Sequence, residues 1–382
     1  MGQYSVGGNT FIQYDYRDPT YRGLFAGEGL MLSLNQMQWN WLNKRGRTLE
    51  IEKTISLAQL NPKALLDLQE TGECRFELSE LLFDQDYPGH YCRKIKSISL
   101  TIPAVVGPYE NVKAMLTQQA NQIVLTNKDV DAVRFLLGEN LSTPPGADKL
   151  RTNWWINQQV ALSSGVNDSG LFELNFSDPR YLPFENTGAV SSWVLSMPKA
   201  ANRFDFASLS DMVITLRYTA LDGGKAFRDQ VTGLAPVKAY AGGRMFLIAR
   251  QFPSDWFAFT ESRPTDDKQV VHFNLPNAIV PAHVDGATLT GVYLQLLSDK
   301  DAANGQAYLT LAIPSVTPDV PLTIGAHNAA MVTRSVEDFG GPWTLTFTLS
   351  KAPDAIKKNG FIDPEVLKDI ALVAYVAGDL KW

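Results

Sequence analysis

The segment WTLTFTL at 343–349 alternates the large apolar residues Trp343, Leu345, Phe347 and Leu349 with threonines. A period of two sends alternate side chains to opposite faces of an extended backbone, so such a segment needs one buried face. The pattern recurs along the chain. Ile98, Leu100 and Ile102 alternate with Ser97, Ser99 and Thr101, and LFELNF at 171–176, MVITLRYTA at 212–220 and RMFLIARQF at 244–252 read similarly. VVHFNL at 270–275, TGVYLQLL at 290–297 and AYLTLAI at 307–313 continue the series. Gly, Pro and Asp loops separate these runs. The expected fold is mainly β with some α, built as antiparallel β-sandwich-type domains rather than alternating β/α units. Two subdomains would divide either at STPPGA, 142–147, the better linker, or at LDGG, 221–224.

One long helix is expected before the strands. Leu30, Leu34, Met37, Trp41, Lys44, Thr48, Ile51 and Ile55 keep an alternating four-three spacing and so fall on one heptad seam. A helix over residues 24–57 with that seam would lie along partner helices, or else pack as an amphipathic helix on its own domain. Gly46, within the polar stretch NKRGR, interrupts it at a cost of about 1 kcal/mol relative to alanine. A short helix follows, with Asn61 as N-cap, Pro62 at its first position and Gly72 just past its end. Asn127 is expected to cap a helix VDAVRFLLG, and Asp363-Pro364 to open another at EVLKDI.

Composition narrows the function. The chain carries 34 basic and 40 acidic residues, a net charge of −6, and no long basic run. Nucleic-acid binding, which rests on clustered Lys and Arg, is therefore not expected. The N-terminal MGQYSVGGNTF has neither a basic n-region nor an apolar h-region, so no signal peptide is expected. The apolar run IALVAYVAG at 370–378 is far short of the ~20 residues of a spanning helix. Two cysteines, Cys74 and Cys92, can pair or stand as buried thiols, and the second is the commoner use of free Cys. The four histidines, His90, His272, His283 and His327, show no metal-ligand spacing.

Catalytic motifs are equally scarce. No G-x-S-x-G elbow, Walker loop or H-E-x-x-H motif is present, and GEG at 27–29 lacks a third glycine. DKDAANG at 299–305 fails as a calcium loop, because Ala303 stands at the third ligand position and Asn304 at the glycine. Ser169, within SSGVNDSGLFE, would serve a hydrolase only if a histidine reached it in space, and a tight turn at Asn167–Gly170 is the simpler use. Asp84/Asp86 and Asp266/Asp267 are paired carboxylates by adjacency alone. No catalytic residue, cofactor or metal is expected. The aromatic cluster Trp256, Phe257 and Phe259 in QFPSDWFAF is what a partner-binding hot spot on a short loop uses. Aromatics more often bury their area, here as a plug closing one end of a sandwich.

Several long stretches together resemble one family. RGLFAGEGLML at 22–32, RTLEIEKTISLAQLNPKALLDLQETGECRFEL at 47–78 and LFDQDYPGHYCRKIKSISLTIPAVVGPYENV at 82–112 are similar to the C-terminal portion of TcA, the pore-forming A subunit of bacterial Tc insecticidal toxins. SSGVNDSGLFELNFSDPRYLPFENTGAVSSWVLSMP at 163–198, DMVITLRYTALDGG at 211–224 and QFPSDWFAF at 251–259 extend the resemblance in the same order. It implies a division into residues 1–59, carrying the end of a channel helix, and residues 60–382, a β-rich TcB-binding domain. It also implies a docking platform for the TcB–TcC cocoon, homopentameric association with neighbouring A subunits, and a secreted toxin complex. Membrane contact would come only through the parent channel. A stand-alone β-sandwich adhesin or glycan-binding protein reusing this fold is the alternative.

Overall fold

The computed structural model describes residues 5–6, 9–10, 26–44, 48–104, 112–154, 158–164, 171–173, 184–264, 266–276 and 279–381. A small hairpin of β1 (Ser5–Val6) and β2 (Asn9–Thr10) precedes the helix α1 (Ala26–Lys44). Then come β3 (Thr48–Ser56), α2 (Leu57–Leu60), α3 (Pro62–Thr71), β4 (Glu73–Leu78), α4 (Glu80–Asp84), β5 (His90–Pro103) and β6 (Val112–Val124). The chain continues through α5 (Asp131–Leu136), β7 (Leu150–Asn153), β8 (Gln158–Ser164), β9 (Leu171–Glu173), β10 (Val190–Ser196) and β11 (Val213–Asp222). These strands form two antiparallel sheets, β4-β10-β6-β7 with β8 also on β6, and β3-β11-β5-β9. Ile55, Phe76, Ile98, Leu116, Trp193 and Leu216 come from both sheets and share one buried cluster, so the pair is a sandwich.

A second sandwich follows α6 (Gly224–Thr232) and α7 (Ala235–Lys238). Its elements are β12 (Ala239–Leu247), α8 (Ile248–Gln251), α9 (Pro253–Glu261), β13 (Lys268–Leu275), β14 (Val284–Ser298), β15 (Ala307–Ala312) and β16 (Val320–Thr323). β17 (Ala329–Val336), β18 (Gly341–Thr348), β19 (Lys357–Lys358), β20 (Phe361–Ile362) and β21 (Leu367–Leu380) complete it. Its sheets are β12-β21-β14-β17 and β13-β18-β15-β16, closed around Phe273, Leu294, Leu309, Trp343, Phe347 and Leu372.

The sandwiches are joined through one face. On β21, Ile370, Leu372, Ala374 and Val376 point into the second core, while Ala371 and Val373 point out and pack with Tyr293 against Leu66 of α3. β21 is thus buried on both faces, which is why IALVAYVAG reads as a continuous apolar run. Gln295 Nε2 donates to Glu70 Oε2 at 2.7 Å, Gln85 Nε2 to Ala239 O at 3.2 Å, and Arg250 Nη2 to Ala207 O at 3.0 Å across the same joint.

Five expectations need correcting. The long helix stops at Lys44, and Thr48, Ile51 and Ile55 lie on β3 instead. Leu49, Ile51, Lys53 and Ile55 turn to the less exposed side with a period of two, and the whole strand pairs with β11 from Thr48↔Leu221 to Ser56↔Val213. Ile51 and Ile55, four apart, satisfy both periods, and the available partner strand decides between them. RMFLIARQF is strand only to Leu247 and then turns into α8. QFPSDWFAF is no loop: Pro253 begins the nine-residue helix α9. α5 is preceded by Val130, not capped by Asn127, whose amide donates to Gly223 O at 3.1 Å. Asp363-Pro364 opens a turn rather than a helix, with Leu367 N–H bonded to Asp363 O at 2.8 Å, and LKDI begins β21. By contrast α3 is as expected. Asn61 accepts from Ala64 N–H at 3.2 Å, and Gly72 sits at φ 78°, where an added Cβ would stand 2.5 Å from Met197 O.

Candidate functional site

Three regions carry the residues of interest, beginning with the aromatic trio on α9. Phe259 is buried, its ring 5.3 Å from those of Phe347 and Trp256, and Trp256 is half-buried against the same core. The buried Gln269 fixes this helix, donating to Phe259 O at 2.7 Å and accepting from Ile362 N–H at 3.0 Å. Two of the three aromatics therefore plug the sandwich, and only Phe257, 66% exposed, faces outward. On α1, Leu30 and Leu34 of the seam are 45% and 50% exposed, Met37 is half-buried, and Trp39 off the seam is 66% exposed. The backbones of Trp41 and Lys44 continue this helix. Ser169 and the turn around it lie outside the described residues.

The second region is a buried ionic cluster that the sequence did not signal. Glu80 and Asp84, four apart on α4, meet Arg93 of β5. Arg93 Nη1 donates to Glu80 Oε1, and Nη2 donates to Asp84 Oδ1 at 2.6 Å and to Tyr87 O at 3.2 Å. All three side chains are sealed from solvent. Asp84 Oδ2, Arg93 Nε and the Tyr218 hydroxyl are left without partners. With one cation for two carboxylates, burial dominates and pushes the Glu80 carboxyl up to about 7, with Asp84 raised for the same reason. Its place inside the core makes this a structural cluster rather than a site open to a ligand.

The third region lies between the sandwiches. A cleft of about 770 Å³ is walled by Lys63, Asp67 and Thr71, one stripe of α3, and by Glu73, Cys74 and Arg75 of β4. Its opposite wall is Tyr293, Ala326, His327 and Ala329–Met331. Lys63 Nζ stands 5.7 Å from the Tyr293 ring centre, and His327 Nδ1 is 3.5 Å from Glu70. Burial pushes the Tyr293 hydroxyl up to about 12, so it stays a neutral donor at any ordinary pH. Sequence reasoning missed this cleft because its two walls come from segments more than 200 residues apart.

Among the described residues no three His, Cys, Asp or Glu side chains converge as metal ligands, and no helix is long and apolar enough to cross a membrane.

Residues 2–220 match the family described as the Tc toxin complex TcA C-terminal TcB-binding domain. The chain belongs to this family. The match runs to the last residues of β11 and so takes in the first sandwich, leaving the second outside it. Toxin subunit YenA2 of Yersinia entomophaga is 39% identical over 233 residues, 59% of this chain and 17% of that protein. The cryo-EM structure of Yersinia pseudotuberculosis TcaA-TcaB is 31% identical over 52% of this chain and 11% of that one, with a TM-score of 0.31. Morganella morganii TcdA4, also solved by cryo-EM, is 28% identical over 56% of this chain and 9% of its own, with a TM-score of 0.33. The chain thus spans at most 17% of the length of these relatives, and its kinship with them rests on sequence.

Proposed function

We propose that this chain acts by binding rather than by catalysis, as the docking platform of a Tc toxin A subunit for the TcB–TcC cocoon. The observation that carries this reading is the match to the TcB-binding domain family, continuous over the first sandwich. In the parent assembly the platform would hold the cocoon over the pentameric channel so that a toxic enzyme is translocated, as part of a secreted complex. Within residues 1–59, α1 would be the end of the channel helix, its seam Leu30, Leu34, Met37, Trp41 and Lys44 meeting neighbouring subunits. Exposed Leu30, Leu34 and Trp39 favour an assembled setting for it. The platform would comprise both sandwiches, since the apolar joint through Leu66 and the three cross-joint hydrogen bonds hold the second on the first.

Light scattering on a sizing column tests this, with the chain alone and mixed with its cognate TcB–TcC cocoon. Co-elution at the mass of a complex is expected. A chain that elutes unchanged beside the cocoon, at concentrations well above the micromolar range, would overturn the docking reading.

A further inference from the structure

The inter-sandwich cleft is bordered by two strands that each end a sheet. β4 pairs only with β10, and β17 only with β14, among the described residues. Met197 N–H donates to Gly72 O at 2.6 Å, so Gly72 and Met197 face each other as a bonded pair at the start of the β4–β10 ladder. Alternation then directs the backbone groups of Cys74, Phe76 and Leu78 to β10, and those of Glu73, Arg75 and Glu77 to the open side. The Thr71 hydroxyl meets the first of these, accepting from Glu73 N–H at 3.1 Å and lying 3.0 Å from Glu73 O. Among the described residues nothing comparable meets the backbone of Arg75 or Glu77. On the facing wall, Ala329 O accepts from Gly325 N–H at 2.8 Å and so points away from β14; the same alternation turns Met331 and Thr333 outward.

An unpaired edge is a template for another strand, and folded proteins usually cover it or block it with lysine, proline or a bulge. Along Glu73–Glu77 there is no lysine, proline or bulge, and the three charges there alternate in sign. The edge instead opens onto the 770 Å³ cleft, which Glu73, Cys74 and Arg75 line.

We propose that the free edge of β4 accepts an extended segment of the docking partner as an added strand. The proposal rests on the docking reading and deepens it by naming the element that is engaged. Backbone bonds to Arg75 and Glu77 supply the pairing, over about 17 Å of strand at ~3.3 Å per residue. The outward side chains Glu73, Arg75 and Glu77 alternate in sign, and opposite charges placed directly across a ladder are favourable. The complementary segment therefore reads basic, any, acidic, any, basic. Met331 and Tyr293 on the far wall give it an apolar cover.

Proline at 75 removes one outward N–H and leaves the β10 ladder intact, because proline is tolerated on edges. Binding of the cognate TcB–TcC cocoon to the full chain is measured by interferometry for wild type, Arg75→Pro, and the double variant Glu73→Lys with Glu77→Lys. Amide exchange of the wild type is followed free and bound. At least a tenfold weakening is expected for both variants, with unchanged circular dichroism, and the Arg75 and Glu77 amides become protected in the complex. If Arg75→Pro does not fold, the charge variant and the exchange data decide. Wild type that binds while these amides exchange as fast as before overturns strand addition and leaves docking standing. Wild type that does not bind removes both.

Discussion

The first sandwich seals an arginine between two carboxylates; the second closes around Trp343, Phe347 and Tyr308 and, among the described residues, buries the carboxylates Asp363 and Asp369 at its margin. Asp369 Oδ1 accepts from Ala249 N–H and from Ile370 N–H, each at 2.7 Å, so the backbone of α8 and β21 supplies its hydrogen bonds, and the half-exposed Arg250 stands 3.7 Å from Oδ2. Glu80 and Asp84 depend instead on one shared cation, Arg93, inside the core. A buried charge held by backbone amides tolerates loss of a distant side chain, whereas a buried triad fails when any member is removed. The two sandwiches should therefore respond differently to charge, although both are stabilised mainly by apolar burial.

The sharpest way to break the comparison is Arg93→Leu. Two carboxylates are then left buried without a cation, and the loss should be about 3–5 kcal/mol, confined to the first sandwich. Urea unfolding followed by residue-resolved exchange checks this, and a loss spread evenly over both sandwiches would show that they unfold as one unit. Leu66→Ala comes next. Deleting the side chain that packs on Ala371 and Val373 should cost about 2–5 kcal/mol and weaken the joint, so that the calorimetric transitions of the two sandwiches move further apart.

Acid–base response is a smaller effect with a defined sign. The folded chain holds the Glu80 proton up to about pH 7, while the unfolded chain releases it near 4.5. The native state binds more protons within that window, so this group makes stability fall as pH rises from about 4.5 to about 7 and level off above. Glu80→Gln, which mimics the protonated acid, should flatten that slope in melting curves and leave the second sandwich unaffected. Smallest of all is Phe257→Ala, expected to change stability by no more than about 0.5 kcal/mol because its ring is exposed. Phe259→Ala beside it should cost about 3–5 kcal/mol. Equal losses at the two positions would mean that α9 shields more than Phe259 and Trp256.

Legibility followed the range of the forces involved. Asn61, Pro62 and Gly72 bounded α3 correctly because capping, a missing N–H and a left-handed φ act within a few residues. WTLTFTL was readable because β18 lies between β13 and β15 with one face in the core, as alternation requires. Thr48–Ser56 misled because Ile51 and Ile55 suit either period, and β11, more than 150 residues away, supplies the partner that makes it a strand. The aromatic trio was found by composition, but its division into two plugging rings and one exposed ring came from the helical turn beginning at Pro253.

By itself the sequence determined the β-rich class, the caps of α3, and the family kinship of its first 220 residues, since each is written in contiguous residues. Only the tertiary structure decided which strands end their sheets, that Arg93 meets Glu80 and Asp84, and that β4 and β17 face one cleft. Those outcomes depend on which distant segments pair and bury one another. Local periodicity fixes the direction of a side chain and carries no record of the neighbour it will meet.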